Sequence, residues 1–168
     1  MLKLVGIIIF ILITGLFVTS YFIFSRKLKK KEEFFLFMII LNVIIDATWI
    51  MTEEMKLIVI SQKIPEYIAF LLYRSVTIPF VVLFFLRLLL AYRTPFSKVL
   101  VGSGYVILLL LLESLLLHYK IITYINWFLS YSSICYIILM VIAYVMLAWY
   151  RHTFGQKKDG VLNESDSI

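Results

Sequence analysis

The chain has a single cysteine, Cys135, among 168 residues, which excludes an intrachain disulfide and a cysteine-rich metal site. Its two histidines, His118 and His152, fall at opposite ends of the apolar runs described below and offer no metal site within one copy. Proline and glycine are scarce, at three and six residues. Gly102-Ser-Gly104 matches neither a phosphate loop nor a dinucleotide fingerprint, and reads as a place for close helix packing. Charged residues make up only 15% of the chain, against about 25% in an average soluble protein. No catalytic set emerges. Glu113, Ser114 and His118 carry triad chemistry, but adjacent helix residues do not face one another. We expect no metal and no cofactor.

Apolar surface is what the chain has in excess. Hydrophobic residues are 63% of the sequence, aromatic residues 17%, and the mean hydropathy is +1.02. A soluble core cannot use that much apolar area. Lipid offers the backbone no hydrogen-bond partners, so spans must be helices or a closed barrel, and the continuous, non-alternating runs exclude the barrel. The expected fold is an all-α integral membrane protein, a five-transmembrane-helix bundle within residues 1–154. Its helices are read over 4–24, 34–52, 65–90, 99–117 and 125–150, each long enough to cross about 30 Å at ~1.5 Å per residue. Residues 155–168 are polar and aperiodic and are expected to form a disordered cytoplasmic tail.

Orientation follows from the lysines and arginines near the span ends. One side receives Arg26, Lys27, Lys29, Lys30, Lys31, Arg93, Lys98, Arg151, Lys157 and Lys158, with Arg87 near its edge. The other receives Lys3, Lys56, Lys63 and Lys120. The first side is expected to face the cytoplasm, with the N-terminus out, the C-terminus in and the chain a multi-pass protein of the plasma membrane. These basic blocks flank apolar runs, so the net charge of +6 acts as a topology signal and implies no nucleic-acid partner. Lys3 and Val18-Thr19-Ser20 resemble parts of a signal peptide, but apolar sequence continues to Phe24 and ends in the basic block, which reads as a retained helix. In the second connection, Leu57-Ile-Val-Ile60 is too short to span. It reads as a surface-lying segment or as a loop packed on the bundle.

Three charges interrupt the spans: Asp46, Arg74 and Glu113. Each costs about 2.5–3.5 kcal/mol at a helix centre, and such residues almost always turn inward. Counting from the outer helix ends at ~1.5 Å per residue places them about 8–12 Å deep, in the same half of the membrane. Asn42 and Asp46 share a face with Trp49, while Asn126, Ser130 and Ser133 form a stripe on the fifth helix. Pro79 frees the Ser75 carbonyl and is expected to kink helix three. The candidate site is therefore Asn42, Asp46, Arg74, Glu113, Asn126 and Ser130. Arg74 would be its positive centre, suited to a phosphate or carboxylate, and Asp46 and Glu113 its acidic neighbours.

The segment from Glu113 through Ile121-Ile-Thr-Tyr-Ile-Asn-Trp127 to Ser130, together with Arg87 to Pro95, resembles an uncharacterised family of small multi-helix membrane proteins of spore-forming Gram-positive bacteria. The resemblance implies a bacterial plasma-membrane or spore-associated setting and carries no activity. The first functional reading is a non-enzymatic membrane subunit or scaffold, with the lipid bilayer and a membrane protein as partners and the buried polar network setting helix packing. The alternative is a binding or transport component that takes an anionic small molecule or lipid headgroup near Arg74. An intramembrane enzyme rests on the carboxylates alone.

Overall fold

The structure is a computed structural model that describes residues 2–23 and 28–165. Helix α1 covers Leu2–Ile23. Helix α2 covers Lys30–Trp49 and continues as a π-turn over Ile50–Glu54. Helices α3 (Ile64–Leu72) and α4 (Ile78–Ala91) join through a second π-turn, Tyr73–Thr77, into one rod. Helices α5 (Pro95–His118) and α6 (Leu129–Ser165) complete the helical set, and two short strands, β1 (Ile58–Ile60) and β2 (Ile122–Tyr124), lie in the loops. Four of the rods, Lys30–Glu54, Ile64–Ala91, Pro95–His118 and Leu129–Phe154, are long and apolar enough to cross a membrane. Within α1, Phe10–Tyr21 is a shorter apolar stretch.

The α3/α4 rod is the centre of the bundle. Half of its most apolar window is buried, against 17–28% for the other three rods. It packs on α1, α2, α5 and α6, while α6 also packs on α2 and α5. Pro79 is the second residue of α4, directly after the π-turn. The widened turn accommodates the proline ring, which would clash with a regular helix, and the rod stays continuous. Gly102 and Gly104 do not mediate close packing as expected. A Cβ at Gly102 would meet nothing within 4 Å, and one at Gly104 would only touch the Phe85 ring at 3.7 Å.

The loops were not legible as strands. Leu57–Ile60 is not plain coil: β1 pairs antiparallel with β2, Val59 opposite Thr123. Flanking bonds from Ser61 N to Ile121 O and from Ile125 N to Leu57 O extend the ribbon. Each strand follows a left-handed lysine, Lys56 (φ 50°) and Lys120 (φ 54°). At the end of α5, Ile121 N donates to Leu116 O and Lys120 N to Leu117 O, the bond pair that closes a helix through a left-handed residue. The ribbon ties the α2–α3 and α5–α6 connections across one end of the bundle, and it delays α6 to Leu129, four residues beyond the expected start. The backbone of α6 continues helical to Ser165, past the point where the composition turns polar.

The opposite end carries Lys29, Lys30, Lys31, Arg93, Lys98 and Arg151; Arg26 and Lys27 lie outside the described residues. Here the structure adds buried polarity that the sequence reading did not anticipate. Arg87 is 2% exposed. It donates through Nη1 to the Tyr21 carbonyl at 2.7 Å, pairs through Nη2 with Glu33, and sits 3.6 Å over the Tyr21 ring. The last carbonyls of a helix lack intrahelical partners, so Arg87 caps α1 from the neighbouring rod. Glu32 accepts from the Lys29 backbone at 2.9 Å and from Arg151 Nε and Nη2 at 2.9 and 3.0 Å. This pairing starts α2 at Lys30, earlier than the apolar run alone indicates, and clamps it to α6.

Candidate functional site

At the ribbon end a cavity of about 220 Å³ opens between α2, the α3/α4 rod, α5, α6 and the ribbon. That volume exceeds the ~30 Å³ share of a single water several-fold. Its walls are mostly aliphatic and aromatic, among them Val43, Ile44, Phe70, Ile78, Ile122 and Leu139, and its polar side chains include Arg74, Glu113, Tyr73, Tyr136, Ser132 and Trp127.

Both oxygens of Glu113 accept a hydrogen bond. Ser132 Oγ donates to its Oε1 at 2.9 Å and Tyr136 OH to its Oε2 at 3.0 Å. A hydroxyl has one proton, so Tyr136, having given its own to Glu113, accepts from Tyr73 OH at 2.9 Å. By the same count Ser132 accepts from Trp127 Nε1 at 2.8 Å and from Tyr124 OH at 3.3 Å. Burial pushes the Tyr124 hydroxyl above its ordinary value, so it keeps the proton that it gives to Ser132. Every bond therefore runs toward Glu113, joining α5, α6, the α3/α4 rod and the ribbon's loop.

Arg74 has the opposite character. It rises from the π-turn, where its guanidinium carbon lies 5.7 Å from the Phe70 ring centroid. Its Nε is buried and has no hydrogen-bond partner. No ion pair joins it to Glu113 or any other acid among the described residues. It presents a planar cation, able to take two oxygens of one anion in parallel, to a cavity whose other polar groups are occupied.

The expected site is thus brought together only in part. Arg74 and Glu113 share the cavity. Asp46 and Asn42 do not: both are exposed, and the amide of Asn42 donates to its own helix at Met38 O, 2.9 Å away. The buried residues of α2 include Leu36, Ile40 and Ile44, and a residue two positions from that stripe lies about 200° around the helix. Asn126 is an exposed residue of the loop before α6, and Ser130 is exposed with its carbonyl accepting from Ser133. The buried polar face of α6 is Ser132 and Tyr136, offset by two from Ser130. Their four-residue spacing was a readable signal, but the sequence reading placed the polar stripe on Asn126, Ser130 and Ser133 instead.

No family model, curated protein or solved structure matches the chain. Among the described residues no group of three histidine, cysteine, aspartate or glutamate side chains is placed to hold a metal ion. The polar groups that line the cavity suit binding: one unpaired cation, one carboxylate held rigid by its donors, and an apolar wall between them.

Proposed function

We propose that the chain is a multi-pass membrane protein whose cavity at the ribbon end binds a small amphiphile through its anionic group. The observation that carries this is Arg74, with a buried, unpartnered Nε and no acid paired with it among the described residues, in a cavity whose walls are mostly apolar. A buried donor left without an acceptor costs about 1–3 kcal/mol, and an anionic ligand would supply the missing acceptors. Glu113 and its donors are the fixed wall of the site. Five spans are proposed, α1 being the first. The ribbon end faces out, because described basic residues gather at the other end and the positive side stays in the cytoplasm. A bacterial plasma membrane is the setting implied by the resemblance of residues 113–130.

A second reading, a subunit or scaffold without a ligand, is favoured by the closed Glu113 network, which joins helices whether or not anything is bound. The two readings separate by titration. In a Trp49→Phe, Trp149→Phe background, Trp127 fluorescence reports the cavity, and hexanoate, hexyl phosphate and neutral hexanol are the probes. On the binding reading the anions bind roughly ten- to a hundredfold more tightly to Arg74 protein than to Arg74→Gln, since hydrogen bonds to a charged group are worth about 1.5–3 kcal/mol. Hexanol shows no such difference. Equal binding of hexanol and hexanoate would leave the scaffold reading standing.

A further inference from the structure

In a membrane the exposed face of α2 is exceptional, because it is polar at a depth where lipid offers no partner. Phe34, Met38, Asn42, Asp46 and Trp49 are exposed along the helix at steps of three or four residues, and so form one stripe. The Asp46 carboxylate makes no hydrogen bond or ion pair among the described residues. Helix α1 packs on the α3/α4 rod rather than over this stripe. Counted from Glu54, the end of the rod, Asp46 lies about 12 Å in at ~1.5 Å per residue. Charges in spans almost always face the bundle or a partner, and this one faces away from its own bundle.

We infer that a second copy of this chain packs on the exposed stripe of α2, forming a two-fold symmetric dimer in which Asp46 of each copy pairs with Asn42 of the other. The stripe supplies both halves of the contact. One amide hydrogen of Asn42 is used within its helix at Met38 O, which leaves a second donor and the amide oxygen free, while Asp46 is an acceptor. A two-fold interface makes every contact twice, so one donor and one acceptor, four residues apart, satisfy each other reciprocally. That offset is within the reach of side chains across parallel paired helices, where positions about five apart routinely meet. An acidic stripe without a donor would need a cationic partner, whereas this one is complementary to itself. Phe34 (66% exposed), Met38 (40%) and Trp49 (54%) provide the apolar contact above and below.

The inference rests on the membrane reading of α2, and the experiment keeps the two apart. The full chain with Cys135→Ser is placed in lipid bilayers, and single cysteines are introduced at Met38 on the stripe or at Ile107, exposed on α5. A two-fold contact through α2 gives disulfide-linked dimers with Met38→Cys and few with Ile107→Cys. Single-molecule photobleaching of labelled protein then shows two-step traces. Asp46→Leu weakens dimerisation roughly tenfold, from two lost interhelical bonds, while Asp46→Asn, which still hydrogen-bonds, largely retains it. One-step traces at all protein densities overturn the dimer, as does equal cross-linking at both positions or an unchanged dimer in Asp46→Leu. Release of the chain from membranes by alkaline carbonate would instead refute the membrane reading beneath it.

Discussion

Replacing Arg87 tests whether the basic end is held by desolvated charge pairs or by apolar packing alone. Arg87 is 2% exposed and its partner Glu33 17% exposed, so solvent screens the pair weakly. Arg87→Met removes one partner and leaves the Glu33 carboxylate uncompensated, which costs about 3–5 kcal/mol when the pair is buried. Glu33→Leu strands the guanidinium in the same way, although the Tyr21 carbonyl and ring still hold it, so the cost lies toward the lower end of that range. The double replacement removes both charges, and apolar substitution of a buried pair is often neutral. What remains is the uncapped Tyr21 carbonyl, about 1 kcal/mol for a lost hydrogen bond. The double-mutant cycle should therefore show a coupling of about 2 kcal/mol or more, with the double variant more stable than Arg87→Met. Equilibrium unfolding in mixed micelles of increasing denaturing-detergent fraction measures it. Additive effects, or an Arg87→Met variant within about 0.5 kcal/mol of the parent, would refute the claim that the pair is desolvated.

Four further outcomes follow from named contacts. Ser132→Ala leaves Trp127 Nε1 without its acceptor and should cost about 1–3 kcal/mol, with a shift in Trp127 emission. Tyr136→Phe cuts the path from Tyr73 to Glu113 and should cost a similar amount by the same unfolding assay. Lys120→Gly relieves a left-handed non-glycine residue and should change stability by about 0 to +1 kcal/mol, whereas Lys120→Val should lower it. Thr123→Pro in the middle of β2 removes a backbone donor and should increase hydrogen exchange at Ile58–Ile60, while leaving α4 amides protected.

The helices were legible because their length and apolar composition do not depend on how they pack. The faces were not. In water a helix hides its apolar side, so periodicity reveals the buried stripe, but lipid accepts apolar side chains and removes that contrast. Residue spacing on α2 left its buried stripe undetermined, and the rule that charges turn inward then placed Asp46 on the wrong side. The same rule was right for Glu113, whose neighbours on α6 supply donors. Glu32 and Glu33 were hidden for another reason. They stand beside three lysines in a block whose charge reads as topology, and their partners Arg87 and Arg151 are 54 and 119 residues away. The ribbon escaped because two three-residue strands carry too little pattern to distinguish them from coil.

Arg74 and Arg87 are held in opposite ways. Both belong to the same central rod, about 20 Å apart at ~1.5 Å per residue, and both take a guanidinium off the aqueous surface. Arg87 has a carboxylate, a carbonyl and a stacked ring, so its charge holds three elements together. Each leaves its Nε without a hydrogen-bond partner, but beside Arg74 there is only the Phe70 ring at 5.7 Å. A purely structural cation lowers the free energy only through the partners that compensate it, and Arg74 has no acidic partner even though Glu113 lines the same cavity. Ser132 and Tyr136 hold one oxygen of Glu113 each and so tie the carboxylate to α6 rather than to the arginine. An anion entering beside Arg74 would complete that end of the bundle as Glu33 completes the other. Arg74→Met should therefore stabilise the unliganded protein or leave it unchanged while abolishing preference for hexanoate over hexanol, and a large loss of stability in that variant would place Arg74 with Arg87 as a structural residue.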